Sequence, residues 1–201
     1  ELIRATPNLD WMLLTKRPGN IAKMLPEDWG HGYPNVWLGC TVVNQAEADR
    51  DIPKLLDLPA AVRFLSMEPL LGPVELTKWI GTEPYLPGTS TYLDCDGFAR
   101  QDIGGGIIDG IDLVIVGGES GPGARPMHPD WARSLRDQCQ AAGVAFFFKQ
   151  WGEWITAKGL PGHMTIGHVF DDGFQMIRLG KNAAGRLLDG RTWDQMPGVA
   201  G

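Results

Sequence analysis

The chain has 201 residues, 43% of them hydrophobic and 21% charged, the profile of a soluble globular chain rather than a disordered or membrane protein. Lys and Arg number 18 against 24 Asp and Glu, a net charge of −6, so an overall basic footprint for nucleic acid is absent while a local basic patch stays compatible with the total. No apolar run reaches the roughly 18 residues a membrane span needs. No charged-then-apolar leader opens the chain, and Cys40, Cys95 and Cys139 are few and scattered; the expectation is a cytoplasmic protein with reduced thiols.

The opening Glu1-Leu-Ile-Arg-Ala5 reads as the last turn of a helix. Five short apolar runs follow at intervals: Trp11-Met-Leu-Leu-Thr15, Val36-Trp-Leu-Gly-Cys-Thr-Val42, Val62-Arg-Phe-Leu-Ser66, Leu113-Val-Ile-Val116 and Val144-Ala-Phe-Phe-Phe148. Their hydrophobicity is nearly continuous rather than alternating, which predicts strands covered on both faces. Helical patterns lie between them. Residues 19–25 carry Ile21, Met24 and Leu25, and residues 44–58 start at a capping Asn44 and meet Pro53, expected to end or restart the helix. His128-Pro-Asp130 introduces residues 131–142, where Trp131, Leu135 and Cys139 share a face and Gly143 is placed to terminate the helix.

Strand and helix in alternation predict an α/β fold with parallel strands. Between the third and fourth runs lies a Gly-rich insertion at about 81–110, readable as a lid or interaction loop or as a neutral surface excursion. After Trp151 the alternation stops, and the irregular tail carries a small hairpin or Gly-rich turn around residues 178–188. The expected organisation is a barrel-like domain over 1–151 and a C-terminal extension over 152–201. Five parallel strands without a closing partner leave an edge unpaired, which predicts a piece of a larger, partial (β/α) barrel.

In parallel α/β architectures ligands meet the carboxyl ends of the strands. Those ends read Thr15-Lys-Arg-Pro18, Cys40-Thr-Val-Val-Asn44, Ser66-Met-Glu-Pro69, Gly117-Gly-Glu-Ser-Gly-Pro-Gly-Ala-Arg125 and Lys149-Gln-Trp-Gly-Glu153. They supply Lys16, Arg17, Arg125 and Lys149 as cations, Glu68, Glu119 and Glu153 as anions, and Thr41, Asn44, Ser66, Ser120 and Gln150 as neutral polar groups. Such a set suits a zwitterionic or nucleotide-like small molecule: cations for carboxylate or phosphate, carboxylates for hydroxyls or an amine. Any one of these residues is equally explained by a strand end reaching water; five polar ends together favour a shared site. Four glycines in residues 117–123 let backbone approach an anion, but neither a dinucleotide fingerprint nor a P-loop is present. Glu119 either serves a ligand or pairs with Arg125.

Metal and nucleophile motifs are missing. The cysteines are too far apart for a local cluster-binding loop, and Cys40 and Cys139 read as core. His31, His128, His163 and His168 form no metal-binding spacing, and His128 reads best as a helix-entry residue. Phe146-Phe-Phe148 reads as sheet core rather than a base-stacking platform.

The strings Leu14-Thr-Lys-Arg-Pro18, Arg63-Phe-Leu-Ser-Met-Glu-Pro-Leu-Leu-Gly-Pro73, Val114-Ile-Val-Gly-Gly-Glu-Ser-Gly-Pro-Gly-Ala-Arg-Pro-Met127, Phe146-Phe-Phe-Lys-Gln-Trp-Gly-Glu153 and Gly185-Arg-Leu-Leu-Asp-Gly-Arg-Thr-Trp193 closely resemble the phage gene product 37 / gene product 68 family, which is of unknown function. Complete members of that family resemble radical-SAM proteins: a three-cysteine segment of the kind that holds a 4Fe–4S cluster precedes the strands of a partial TIM-type barrel. None of the three cysteines here matches that segment. The resemblance therefore implies the later barrel strands of an S-adenosylmethionine enzyme, a fragment not active alone. By analogy Thr41, Asn44, Ser66 and Glu68 are cofactor-side residues, while Lys16, Arg17, Glu119, Arg125, Lys149 and Gln150 face cofactor or substrate. Gly117-Gly-Glu119 lies on a late strand and is not equated with the radical-SAM glycine-glycine-glutamate motif. The alternative is a module without radical chemistry that binds nucleic acid or a phage or host protein through a basic mouth at Lys16, Arg17, Arg125 and Lys149.

Overall fold

A computed structural model of the chain describes residues 1–80, 92–93, 99–100, 110–158 and 167–198. The insertion expected at about 81–110 lies almost wholly outside the described residues, as does Cys95. The elements run α1 (Leu2–Ala5), β1 (Trp11–Thr15), a 3-10 turn (Pro18–Lys23), β2 (Val36–Thr41), α2 (Gln45–Leu56), β3 (Val62–Met67), β4 (Tyr92–Leu93), β5 (Ala99–Arg100), β6 (Leu113–Gly117), α3 (Pro129–Ala142), β7 (Ala145–Gln150), β8 (Trp154–Thr156), β9 (His168–Val169), β10 (Gln175–Arg178) and α4 (Lys181–Ala184).

The five apolar runs form one parallel sheet in the order β1-β2-β3-β6-β7. The protein is thus α/β with a five-stranded parallel sheet, and the described strands do not close into a barrel. Register brings the carboxyl ends to one side: Thr15 faces Cys40, Thr41 faces Ser66, and Met67 faces Val116.

The pleat sends alternate side chains to opposite faces. On one face Val36, Leu38 and Cys40, Leu65 and Met67, Val114 and Val116, and Phe146 and Phe148 pack with Ile52 and Leu55 of α2 and Leu135 and Cys139 of α3. Each large side chain removed from water here contributes about 1.5–3 kcal/mol. On the other face Trp37, Phe64 and Leu113 are buried with Ile115, Phe147 and Met196, and no described helix contributes to this second cluster. Phe64 lies across Gly39, where a Cβ would fall 2.4 Å from the ring.

Asn44 starts α2 as expected: its side chain accepts from the Glu47 amide at 3.0 Å, and Glu47 in return accepts from the Val43 amide at 3.1 Å. Contrary to expectation the helix passes through Pro53 to Leu56. Pro53 lies in the last turn and is exposed, so its ring displaces little and a single helical bond is lost. Helix α3 has Pro129 at its first position, His128 Nδ1 accepting the Asp130 amide at 3.1 Å, and Gly143 at φ 68° closing its end.

Three expectations fare differently. Residues 19–25 form a 3-10 turn over Pro18–Lys23 rather than an α-helix. Strand β1 is not covered on both faces: Met12, Leu13 and Leu14 are 39%, 40% and 51% exposed. In the tail, antiparallel strands β8, β10 and β9 form a separate three-stranded sheet, with the β9–β10 hairpin upstream of the expected position and a Leu188–Arg191 bridge close to it. The last described stretch runs along the outer edge of β7. The Phe148 amide donates to Trp193 O at 2.9 Å, and the Gln195 amide donates to Phe146 O at 3.3 Å.

Candidate functional site at the carboxyl ends of the parallel strands

On the face free of helices, the side chains change character along the strands. Trp37, Phe64, Leu113, Ile115 and Phe147 make an apolar layer. Beyond it come Thr41 on β2, Ser66 on β3, Glu68 just past β3, and Lys149 on β7. Thr41 and Ser66 are neighbours in register and are 6% and 5% exposed. Neither hydroxyl has a protein hydrogen-bond partner among the described residues.

The centre of this polar layer is an ion pair. Lys149 Nζ lies 2.9 Å from Glu68 Oε2, with the side chains 51% and 19% exposed. Lys149 is on β7 and Glu68 follows β3, so the pair spans the intervening strand β6. Gly117, the last residue of β6, makes this geometry available: a Cβ there would stand 2.6 Å from Glu68 Oε1. A second device serves Lys149. Val116 pairs with Phe148 but Gly117 pairs with Gln150, so Lys149 is the extra residue of a β-bulge. Bulges re-aim side chains and are over-represented beside active sites. Glu68 Oε1 is buried and has no hydrogen-bond partner among the described residues. A carboxylate oxygen without a donor is costly, and such atoms in native proteins call for a functional explanation.

The Gly-rich turn after β6 is braced from within. Arg125 Nε and NH2 donate to the two Glu119 oxygens at 2.8 Å each, and the Arg125 amide adds a third bond at 2.8 Å. These bonds hold the Glu119 carboxyl down at about 2. Of the two roles open for Glu119, pairing with Arg125 is the one seen. Glu153 Oε1 accepts from the Gly121 amide at 3.1 Å, and Arg178 NH2 donates to Gly121 O at 2.6 Å. Backbone meets backbone nearby: a Cβ on Gly118 would lie 1.9 Å from Trp151 O, and one on Gly152 2.1 Å from Glu119 O. Two amides of this turn, those of Gly121 and Arg125, are thus taken by the chain's own carboxylates. Glu153 and Arg178 act as struts from the C-terminal sheet, a role that no sequence motif signalled.

The remaining residues fall at the rim. Lys16 and Arg17 follow β1, are exposed, and have no side-chain hydrogen bond or ion pair among the described residues. Gln150 Nε2 donates to Ser120 Oγ at 3.1 Å. Asn44 gives its carbonyl oxygen to the α2 cap, which leaves its NH2 group for other use. With strands about 4.8 Å apart, Lys16 and Lys149 stand on the two outer strands, roughly 19 Å from each other along the sheet, with Thr41, Ser66 and Glu68 between them.

Two cysteines belong to the core. Burial pushes the thiols of Cys40 and Cys139 up to about 12, which is inert for metal ligation or nucleophilic attack. No group of His, Cys, Asp and Glu suited to a metal ion occurs among the described residues. The small cavity of about 280 Å³ beside β8 and β10, lined by Thr156, Lys158, Phe174 and Gln175 among others, involves none of the strand-end residues. No described helix is long and apolar enough to cross a membrane.

A family model described as "Protein of unknown function (DUF5131)" matches residues 1–197. No curated protein matches the chain, and no solved structure does.

Proposed function

Given that the chain belongs to the DUF5131 family, a family of unknown function, we propose that it forms the later strands of a partial TIM-type barrel in a cytoplasmic, radical-SAM-like enzyme of the phage gene product 37 / gene product 68 kind. The helix-free face of the sheet is the binding face. The observation that carries this reading is the change from an apolar to a polar layer on that face at the carboxyl ends of the strands, centred on the Glu68–Lys149 pair across Gly117.

The hydroxyls of Thr41 and Ser66 and the carboxylate of Glu68 fit the hydroxyl and amine groups of a nucleoside, and the free amide NH2 of Asn44 extends that set. These residues would hold S-adenosylmethionine, which beside a reduced 4Fe–4S cluster supplies radical chemistry in proteins of this type. Cys40 and Cys139 do not fit a cluster, so the contribution of this chain is binding and orientation. Glu68 accepts donors from the ligand, Lys149 holds the carboxylate in place, and the apolar layer of Trp37, Phe64 and Phe147 gives the bound groups a rigid floor. Anaerobic expression of the reading frame that encodes this chain, with iron and sulfide, followed by reduction in the presence of S-adenosylmethionine, tests the reading. Cluster absorbance and 5′-deoxyadenosine are expected; absence of both overturns it.

A second reading, a module that binds nucleic acid or a phage or host protein, draws support from Lys16 and Arg17, which are exposed and have no side-chain partner among the described residues. It predicts DNA or RNA binding that weakens with salt and is lost on charge reversal at Arg17.

A further inference from the structure

The cations at the strand ends are not equivalent. Arg125 is closed by three hydrogen bonds to Glu119, and Lys149 is closed by Glu68. Each of these pairs is neutral as a unit. Glu153, the remaining acid of the rim, is held by the Gly121 amide and lies 3.7 Å from Arg178. Lys16 and Arg17 alone among these rim residues carry charge with no side-chain partner among the described residues. Two uncompensated cations therefore stand at the end of β1.

That charge stands beside hydroxyls. Thr41 is one strand from β1 and Ser66 two strands away, about 10 Å along the sheet. Glu68, with one buried oxygen lacking a donor, follows Ser66 on the same strand. From the β1 end inwards, the order is two exposed cations, the hydroxyls of Thr41 and Ser66, and the carboxylate of Glu68.

We infer that the substrate of this mouth is a small phosphomonoester, its phosphate held by Lys16 and Arg17 and its hydroxyl- or amine-bearing part lying over Thr41 and Ser66 towards Glu68. The inference rests on the reading of the strand ends as a binding mouth and adds the class of molecule and its direction. A phosphomonoester carries close to two negative charges at neutral pH, which matches the two cations; a carboxylate would leave one unmatched. The guanidinium fork of Arg17 grips two phosphate oxygens while the Lys16 ammonium acts as a point charge. A nucleic acid would set many phosphates against a chain of net charge −6 that offers one such pair.

The test is calorimetric titration of the chain with ribose 5-phosphate and 5′-AMP, each against its unphosphorylated parent. The phosphorylated member of each pair is expected to bind at least about tenfold tighter. In the double variant Lys16→Gln/Arg17→Gln that preference disappears, while Lys23→Gln, a cation on the neighbouring 3-10 turn, retains it. All three positions are exposed, and circular dichroism checks that each variant folds. Equal binding of phosphorylated and parent compounds, no binding of either phosphate, or an equal loss in the Lys23 variant overturns the inference. Tighter binding of a single-stranded oligonucleotide than of 5′-AMP overturns it in favour of a nucleic-acid partner. Parallel titration with S-adenosylmethionine separates the two levels. Binding of that compound without phosphate preference removes only this inference, and phosphate preference without such binding removes only the proposed cofactor.

Discussion

Glycine 117 shows how one missing side chain shapes a site. Its Cα lies under Glu68, and any Cβ would intrude on the buried carboxylate oxygen. Gly117→Ala is expected to cost about 1–3 kcal/mol, because the carboxylate must move off Lys149 or the strand must shift. Denaturant unfolding checks this, and the double variant Gly117→Ala/Glu68→Ala should recover most of the loss, whereas a purely backbone effect would persist. Two other carboxylates set opposite pH dependences. Asp112, at the start of β6, is pushed up from 3.8 to about 6 by burial, against the opposing pull of the Arg63 amide that donates to it at 2.7 Å. A raised folded value means that its stabilising contribution is complete below 3.8 and lost as pH rises through about 6. Asp112→Asn keeps an acceptor for that amide and should flatten stability against pH across this window in thermal melts. Glu119 runs the other way: its contribution is complete above 4.5 and lost as pH falls towards 2, a slope that Arg125→Ala should shrink. The polar residues at the strand ends were legible because each apolar run turns polar at a definite point. The partners were not: Glu68 and Lys149 are 81 residues apart in sequence, and which glycine would admit which carboxylate depends on strand order.

At the scale of elements, caps and clasps hold the frame around the site. Helix α3 was readable from its Pro129 start and Gly143 stop, both dictated by backbone rules that act locally. Gly143 sits at φ 68° with open space around its Cα, so Gly143→Ala should cost only the backbone penalty of about 1 kcal/mol, measurable by denaturant titration. The final strap was not readable, since its contacts are with distant parts of the chain. Asp189 accepts from Arg133 Nε at 2.9 Å and from Arg136 NH1 at 2.5 Å, tying the strap to α3. Trp193 packs its edge against Phe146, and Arg186 pairs with Asp194. Asp189→Ala is expected to lower stability by about 1–2 kcal/mol and to speed hydrogen exchange at the Phe148 amide, which donates to Trp193 O. The bulge at Lys149 was equally hidden. An extra residue in one strand leaves no mark in an apolar run, because Phe148 and Lys149 follow one another whether or not the ladder slips.

For the molecule as a whole, the run-and-gap rhythm of the sequence anticipated five parallel strands, and the ladder follows in chain order. Continuous hydrophobicity did not distinguish an inner strand from an outer one. Val36–Thr41 is buried throughout, whereas Trp11–Thr15 with similar composition leaves Leu14 half in water. The two rims of the sheet are treated unequally. The strap at 191–196 occupies the rim of β7 through the Phe148 and Gln195 amides, while no described residue pairs with the outer side of β1. Backbone groups left in this state are a template for further pairing. The sheet can therefore be lengthened from the β1 side, as the earlier strands of a partial barrel would lengthen it, whereas at β7 the strap already occupies the place of a next strand.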